Sequence, residues 1–259
     1  MKAVILAGGL GTRLSEETSV RPKPMVEIGG HPILWHILKT YSHHGIDDFV
    51  ICGGYKRHLI SEWFAGYRLR SCGVTFDFAK DTVEYHGTSP ETWRVTVVDT
   101  GEASMTGGRL RRVRHLLGDE TFCFTYGDGV ADVDVGALVD FHRREGREAT
   151  MTVVQPPGRF GAVSLLEGQT GVDSFMEKPN GDGSWINGGY FVLEPSVIDR
   201  IDGDETVWEQ HPLRSLAHDA QLSAYRHPGF WQPMDTLRDK IALNELWDDG
   251  RAPWKVWGG

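Results

Sequence analysis

The chain is poor in cysteine, with three residues, Cys52, Cys72 and Cys123, among 259. An odd, widely spaced set supplies neither a disulfide framework nor a close-spaced metal cluster. Cys52 and Cys123 stand in apolar, strand-like runs, a setting that suits buried thiols better than nucleophiles. No apolar run approaches the roughly 20 residues that cross a bilayer, so no membrane partner is expected. Positive charge is also short. The formal charge of −9 argues against nonspecific attraction to nucleic acid or to an anionic membrane, though it leaves room for a local cationic pocket. The 11 histidines include no H-E-x-x-H pair, and the adjacent His43 and His44 would point in different directions on a helix, so none is assigned to catalysis. Met1-Lys2-Ala3 passes straight into a short strand instead of a long apolar region with a small-residue cleavage site, so the expectation is a cytoplasmic protein.

What is present is enough apolar material, 40% hydrophobic with 10% aromatic, for a substantial core. Strand-like runs recur at Lys2 to Ala7, Asp48 to Cys52, Val74 to Phe78, Val95 to Val98, Thr121 to Thr125 and Ala149 to Val154. Helical patterns fall between them at Pro32 to His43, Lys56 to Tyr67, Gly108 to Leu117 and Val135 to Arg144. This alternation predicts an α/β fold with a doubly wound, mainly parallel sheet. After about Gly158 the rhythm shifts to shorter strands at Ala162 to Leu166, Val172 to Met176 and Gly188 to Leu193. Helices are expected around Pro195 to Ile201, Val207 to Ala217 and Thr236 to Trp247, and a last strand pair at Ser223 to His227 and Phe230 to Met234. No Gly, Ser or Pro linker and no repeat divides the chain, so a single domain over residues 1–259 with a smaller embedded β subregion is expected.

The most informative segment is Val4-Ile5-Leu6-Ala7-Gly8-Gly9-Leu10-Gly11-Thr12-Arg13-Leu14, followed by Arg21-Pro22-Lys23-Pro24. An apolar strand here feeds a glycine-rich loop carrying Arg13, with Lys23 a short way beyond. Bare backbone N–H groups, close approach and cations are what a nucleoside triphosphate needs. Two familiar alternatives fail on single residues. A dinucleotide fingerprint read from Gly9 finds Leu14 where its third glycine should stand, and a Walker loop read from Gly8 finds Arg13 at its second glycine. In a parallel sheet, ligands sit beyond the carboxyl ends of strands, so Gly8 to Arg13 and Tyr126 to Gly129 can converge on one cleft.

Asp128 lies between Gly127 and Gly129 after a strand, and Asp235 follows Phe230-Trp231-Gln232-Pro233-Met234 just before a helix. Two such carboxylates could hold Mg²⁺, which commonly uses one or two protein carboxylates and completes its shell with phosphate and water. A turn residue and a helix cap would also suit these positions. Glu177-Lys178-Pro179 ends another strand, and Asn187-Gly188-Gly189 begins the next. A lysine for phosphate, a glutamate for hydroxyls and an amide for both would serve a sugar phosphate, although a surface ion pair and a turn read the same way. Ser104, Thr106 and Arg109, in a glycine-rich stretch, could contact a base or triphosphate, and Trp231 could wall a sugar pocket.

These residues resemble the sugar nucleotidyltransferases. The likeness runs through Leu6 to Leu14, Arg21 to Glu27, Tyr126 to Ala131, Pro156 to Ala162, Glu177 to Pro179, Asn187 to Gly189 and Gly229 to Arg238. Pro22 to Val26, Gly101 to Arg109 and Trp231 to Asp235 are similar, more specifically, to the cytidylyl branch. The resemblance implies a Rossmann-like sheet with a nucleotide-binding part over about 1–157 and a sugar-binding and C-terminal part over 158–259. It implies Mg²⁺-dependent transfer of CMP from CTP to α-D-glucose 1-phosphate, and a homo-oligomer, a hexamer, serving polysaccharide biosynthesis. Arg13 and Lys23 would be catalytic. The nucleotide would meet Leu6, Ala7, Gly8, Gly9, Gly11, Thr12, Arg13, Lys23, Ser104, Arg109 and Gly127. The sugar phosphate would meet Tyr126, Glu177, Lys178, Asn187, Gly188 and Trp231, and the metal Asp128 and Asp235. Loop spacing does not reveal base choice, so UTP, dTTP or GTP stays open at this point. A noncatalytic nucleotide-sugar sensor also stays open, although the presence of Arg13, Lys23, Asp128 and Asp235 together weighs against it.

Overall fold

A computed structural model describes residues 1–89, 91–156, 162–166, 170–177 and 184–258. Seven strands build the central sheet: β1 (Lys2–Ala7), β2 (Asp48–Gly53), β3 (Arg94–Asp99), β4 (Phe122–Tyr126), β5 (Ala149–Val154), β6 (Ile186–Leu193) and β7 (Leu222–His227). Their spatial order is β7-β5-β6-β4-β1-β2-β3. Only β6 runs against the rest, pairing antiparallel with both β4 and β5, so the sheet is mainly parallel as the alternation predicts. Strands β1, β2 and β3 step outward on one side, and β4 then returns to the other side of β1. The order reverses there, and a crevice opens beyond the carboxyl ends of β1 and β4.

Both faces of the sheet are buried, which explains the near-continuous apolar runs. Ala3, Ile5 and Ala7 of β1 join Phe49, Ile51 and Cys123 on one face, under the helices Ile33–His43 and Val135–Glu145. Val4 and Leu6 join Val50, Cys52, Phe124 and Phe191 on the other, under the helices Thr106–Arg112 and His211–His218. Burial pushes the Cys52 and Cys123 thiols up to about 12, the chemistry of inert core residues. Among the described residues no helix is long and apolar enough to cross a membrane.

The structure corrects three sequence expectations. The Val74 to Phe78 run does not enter the sheet; Gly73–Asp77 pairs with Thr82–His86 as a separate antiparallel hairpin. The Asp77 carboxylate accepts the Ala79 and Lys80 N–H groups and closes its turn. Ser223 to His227 and Phe230 to Met234 are not partners. β7 lies beside β5 in the main sheet, whereas Trp231–Pro233 pairs with Gly129–Ala131. Finally, the helix expected from Val207 begins at His211, where Pro212, a residue with no N–H to give, fits the first turn. Among the described residues, the strands Ala162–Leu165 and Val172–Met176 pair only with each other.

His36 sits fully buried in an aromatic box near the C-terminus. The Trp254 indole N–H donates to its Nδ1 at 3.3 Å, which leaves the hydrogen on Nε2 to face the Ile28 carbonyl at 2.9 Å. Burial pushes this imidazole down from 6.5 to about 4, against the weaker opposing pull of the Ile28 carbonyl. Because the folded value lies below the unfolded one, the unfolded chain takes the proton first. Stability present above pH 6.5 is therefore lost as pH falls toward 4, by about 3 kcal/mol at one unit per ~1.4 kcal/mol. Urea midpoints should decline over that range in the native protein more steeply than in His36→Gln. Parallel pH profiles for the two proteins would contradict this.

Candidate active site

A cleft of about 520 Å³ opens at the β1–β4 reversal. Leu6, Ala7, Gly8, Gly9, Gly11, Thr12, Arg13, Lys23, Ser104, Arg109 and Gly127, the residues expected to meet the nucleotide, all line it, together with Tyr126, expected at the sugar phosphate, and Asp128, expected at the metal. Pro24, Met105, Thr106 and Glu209 complete the wall.

The loop after β1 is shaped by two close contacts. Gly11 adopts a positive φ of 63° and accepts the Leu14 N–H and the Thr18 hydroxyl, starting a short 3₁₀ turn at Thr12. At Gly8 a Cβ would stand 2.0 Å from the Arg109 guanidinium, so only glycine admits that side chain. Arg109 itself is buried, and its Nη1 and Nη2 donate to the carbonyls of Gly8, Gly101 and Glu102 and to the Thr100 hydroxyl at 2.7–3.0 Å. A longer bond reaches Gly53. The structure thus places its guanidinium as a latch joining the glycine loop to the ends of β2 and β3, with its two terminal nitrogens bonded to the protein's own acceptors.

The charged centre sits at the mouth of the cleft. Pairing of Gly129–Ala131 with Trp231–Pro233, extended by the Met234 N–H bonding the Asp128 carbonyl at 2.8 Å, sets Asp128 and Asp235 side by side although they are 107 residues apart. Lys23, only 8% exposed, donates to Asp128 at 2.8 Å and to Asp235 at 2.6 Å. Arg13 donates to the second oxygen of Asp235 at 2.7 Å while its side chain stays 74% exposed. Asp235 does not cap the following helix. Thr236 does so, in a reciprocal capping box with Asp239, which also accepts the Asp235 N–H and leaves the Asp235 carboxylate to the cations. Two carboxylates converging on one ammonium offer hard oxygen donors and no soft ligand, which fits Mg²⁺. Among the described residues no group of three or more His, Cys, Asp or Glu gathers for a metal.

The remaining expectations are spread out. The Trp231 indole donates to the Gly188 carbonyl at 2.7 Å, joining two sugar-side candidates to each other. Asn187 donates to the Tyr126 hydroxyl at 3.2 Å. Glu177 is exposed at the end of Val172–Met176 and is not part of the cleft wall; Lys178 lies outside the described residues. Sequence reasoning missed Glu209. It sits in the non-helical 207–210 segment that was expected to be helix, and Pro212 was the signal that could have exposed it.

A profile of the nucleotidyl transferase family matches residues 2–231. The chain is 63% identical to the glucose-1-phosphate cytidylyltransferase of Salmonella typhimurium over 99% of its own length and 100% of that protein. It is 43% identical to the probable glucose-1-phosphate cytidylyltransferase of Bacillus subtilis, with the same coverage. The crystal structure of HddC from Yersinia pseudotuberculosis superposes with a TM-score of 0.68 at 22% identity, covering 95% of this chain and 99% of that one. A UDP-glucose pyrophosphorylase complexed with UDP-glucose gives 0.69 at 16% identity, covering 96% and 99%; these two likenesses speak for the fold alone.

Arg109→Met should leave several buried acceptors unpaired and cost about 1–3 kcal/mol, read as a lower urea midpoint with an unchanged slope. Stability equal to the native protein's would remove the latch role.

Proposed function

The chain belongs to the nucleotidyl transferase family, and on that premise we propose that it transfers CMP from CTP to α-D-glucose 1-phosphate, giving CDP-glucose and pyrophosphate. The observation that carries the chemistry is the convergence of Lys23, Arg13, Asp128 and Asp235 at the mouth of the glycine-loop cleft. The choice of base and sugar rests on near-full-length likeness to enzymes named for that reaction.

A phosphate oxygen of the sugar phosphate forms the new bond to the α-phosphorus of CTP. The bond from that phosphorus to its bridging oxygen breaks, and the electron pair leaves with pyrophosphate. A phosphate monoester has a second pKa near ~6, so the attacking oxygen is already mostly anionic at neutral pH and needs no general base. The obstacle is repulsion between anions. Lys23 and Arg13 supply positive charge where it accumulates, and the loop from Gly8 to Thr12 lets the triphosphate approach closely, with Arg109 fixing the loop's path. Asp128 and Asp235 would hold Mg²⁺, which when bound neutralises phosphate charge and orients the leaving group. On binding, the Lys23 ammonium exchanges carboxylate for phosphate oxygens. The same reading includes a cytoplasmic homo-oligomer, a hexamer, with Glu177, Lys178, Asn187 and Trp231 on the sugar side.

Pyrophosphate release should be fastest with CTP when CTP, UTP, dTTP and GTP are each paired with glucose 1-phosphate; another nucleotide giving the highest rate would overturn the base assignment. Asp128→Ala and Asp235→Ala should each lower kcat at least about 100-fold with little change in Tm. Arg13→Ala and Lys23→Ala should also lower kcat, and an effect confined to the KM for the sugar phosphate would contradict their role.

A further inference from the structure

Glu209 belongs to no motif, yet it lies on the wall of the cleft with both carboxylate oxygens engaged. The Thr106 hydroxyl donates to one at 2.7 Å and the Tyr126 hydroxyl to the other. Its position follows from two glycines. At Gly107 and Gly108 a Cβ would meet the backbone of Thr206 at 2.8 Å and of Asp204 at 2.3 Å, so only bare backbone lets the 204–209 segment pack on the start of the helix Thr106–Arg112. The Met105 N–H binds the Asp204 carbonyl, and the Gly107 N–H binds that of Thr206, at 2.8 and 2.9 Å.

Proton directions along this chain of bonds are fixed from both ends. The Gly189 N–H can only donate, and it meets Asn187 Oδ1 at 2.8 Å, which turns Asn187 Nδ2 toward the Tyr126 hydroxyl. At the other end a carboxylate can only accept. Tyr126 must therefore take a hydrogen from Asn187 and give its own to Glu209. Burial, then the Glu209 charge, raises the Tyr126 phenol well above its ordinary range, so its hydroxyl keeps that proton. The Asn187 amide carries a second hydrogen that this chain of bonds does not use. A half-buried anion beside a cleft for phosphates is costly unless its accepting capacity is needed.

We propose that Glu209 is a positioning residue for the sugar phosphate, acting through Tyr126 to aim the Asn187 amide at a ligand oxygen. The proposal rests on the reaction assigned above. Charge alone predicts the opposite sign, because deleting an anion from this wall would tighten the binding of anionic substrates.

The test is steady-state kinetics of full-length Glu209→Ala, Glu209→Gln, Tyr126→Phe and the Glu209→Ala/Tyr126→Phe double variant, with Tm measured on each. Glu209→Ala should raise the KM for glucose 1-phosphate about tenfold, as expected for one lost polar contact, with the KM for CTP within about twofold of native. Glu209→Gln should restore most of this, since its amide oxygen still accepts from Tyr126 and its NH₂ can face Thr106. Tyr126→Phe should match Glu209→Ala, and the double variant should be no worse than either. An unchanged or lowered KM for the sugar phosphate, equal rises in both KM values with a lower Tm, or multiplicative effects in the double variant would each overturn the positioning role. A native protein that releases no pyrophosphate from CTP and glucose 1-phosphate would overturn the underlying reaction; activity in the native protein with unaltered Glu209→Ala kinetics would overturn the Glu209 assignment alone.

Discussion

The proposed chemistry depends on holding two carboxylates and two cations together at the edge of a cleft. Asp128 and Asp235 would repel each other if left alone, and the Lys23 ammonium bonded to both offsets that repulsion. The pairing is purchased by a short ladder outside the main sheet, in which Gly129–Ala131 meets Trp231–Pro233. On the proposed reaction, a ligand's phosphates would replace contacts that the protein already makes to itself.

A second constraint concerns the glycine loop. A loop bare enough to admit phosphates is also free to wander, and the structure limits this with a buried arginine and not with bulk. Arg109 binds backbone carbonyls of the Gly8 and Gly101 segments together, while the missing side chain at Gly8 is the space the guanidinium fills. The glycines of the Gly101 to Arg109 stretch divide their work similarly. Gly107 and Gly108 serve close packing against residues 204–206, which brings Glu209 to the cleft wall. A glycine-rich signature read as ligand contact is here partly a signature of backbone meeting backbone.

Legibility varied with the range of the interaction that decides each feature. β1 and β5 match their expected bounds because their apolar runs are local and both faces are buried. The hairpin at Gly73–Asp77 was misplaced because an isolated strand pair and a sheet strand share the same composition. The partner of Trp231–Pro233 was missed because pairing between segments about 100 residues apart leaves no local mark. Asp128 and Asp235 were legible as acids at strand ends that could share one metal, yet the ladder that brings them together was not; Glu209 was hidden because a helical pattern continued through Val207 to Gln210, until Pro212 moved the true start to His211.

By itself the sequence determined the class of fold, the glycine loop with its cations, and the kind of chemistry, because periodicity, backbone freedom and charge are properties of neighbouring residues. Tertiary structure alone decided that Arg109 latches the loop, that Lys23 bridges two distant aspartates, and that Gly189 and Glu209 between them fix the polarity of Asn187 and Tyr126. Each of these depends on the direction of a donor toward an acceptor far away in the chain, and direction in space is set only when the sheet closes and its loops meet.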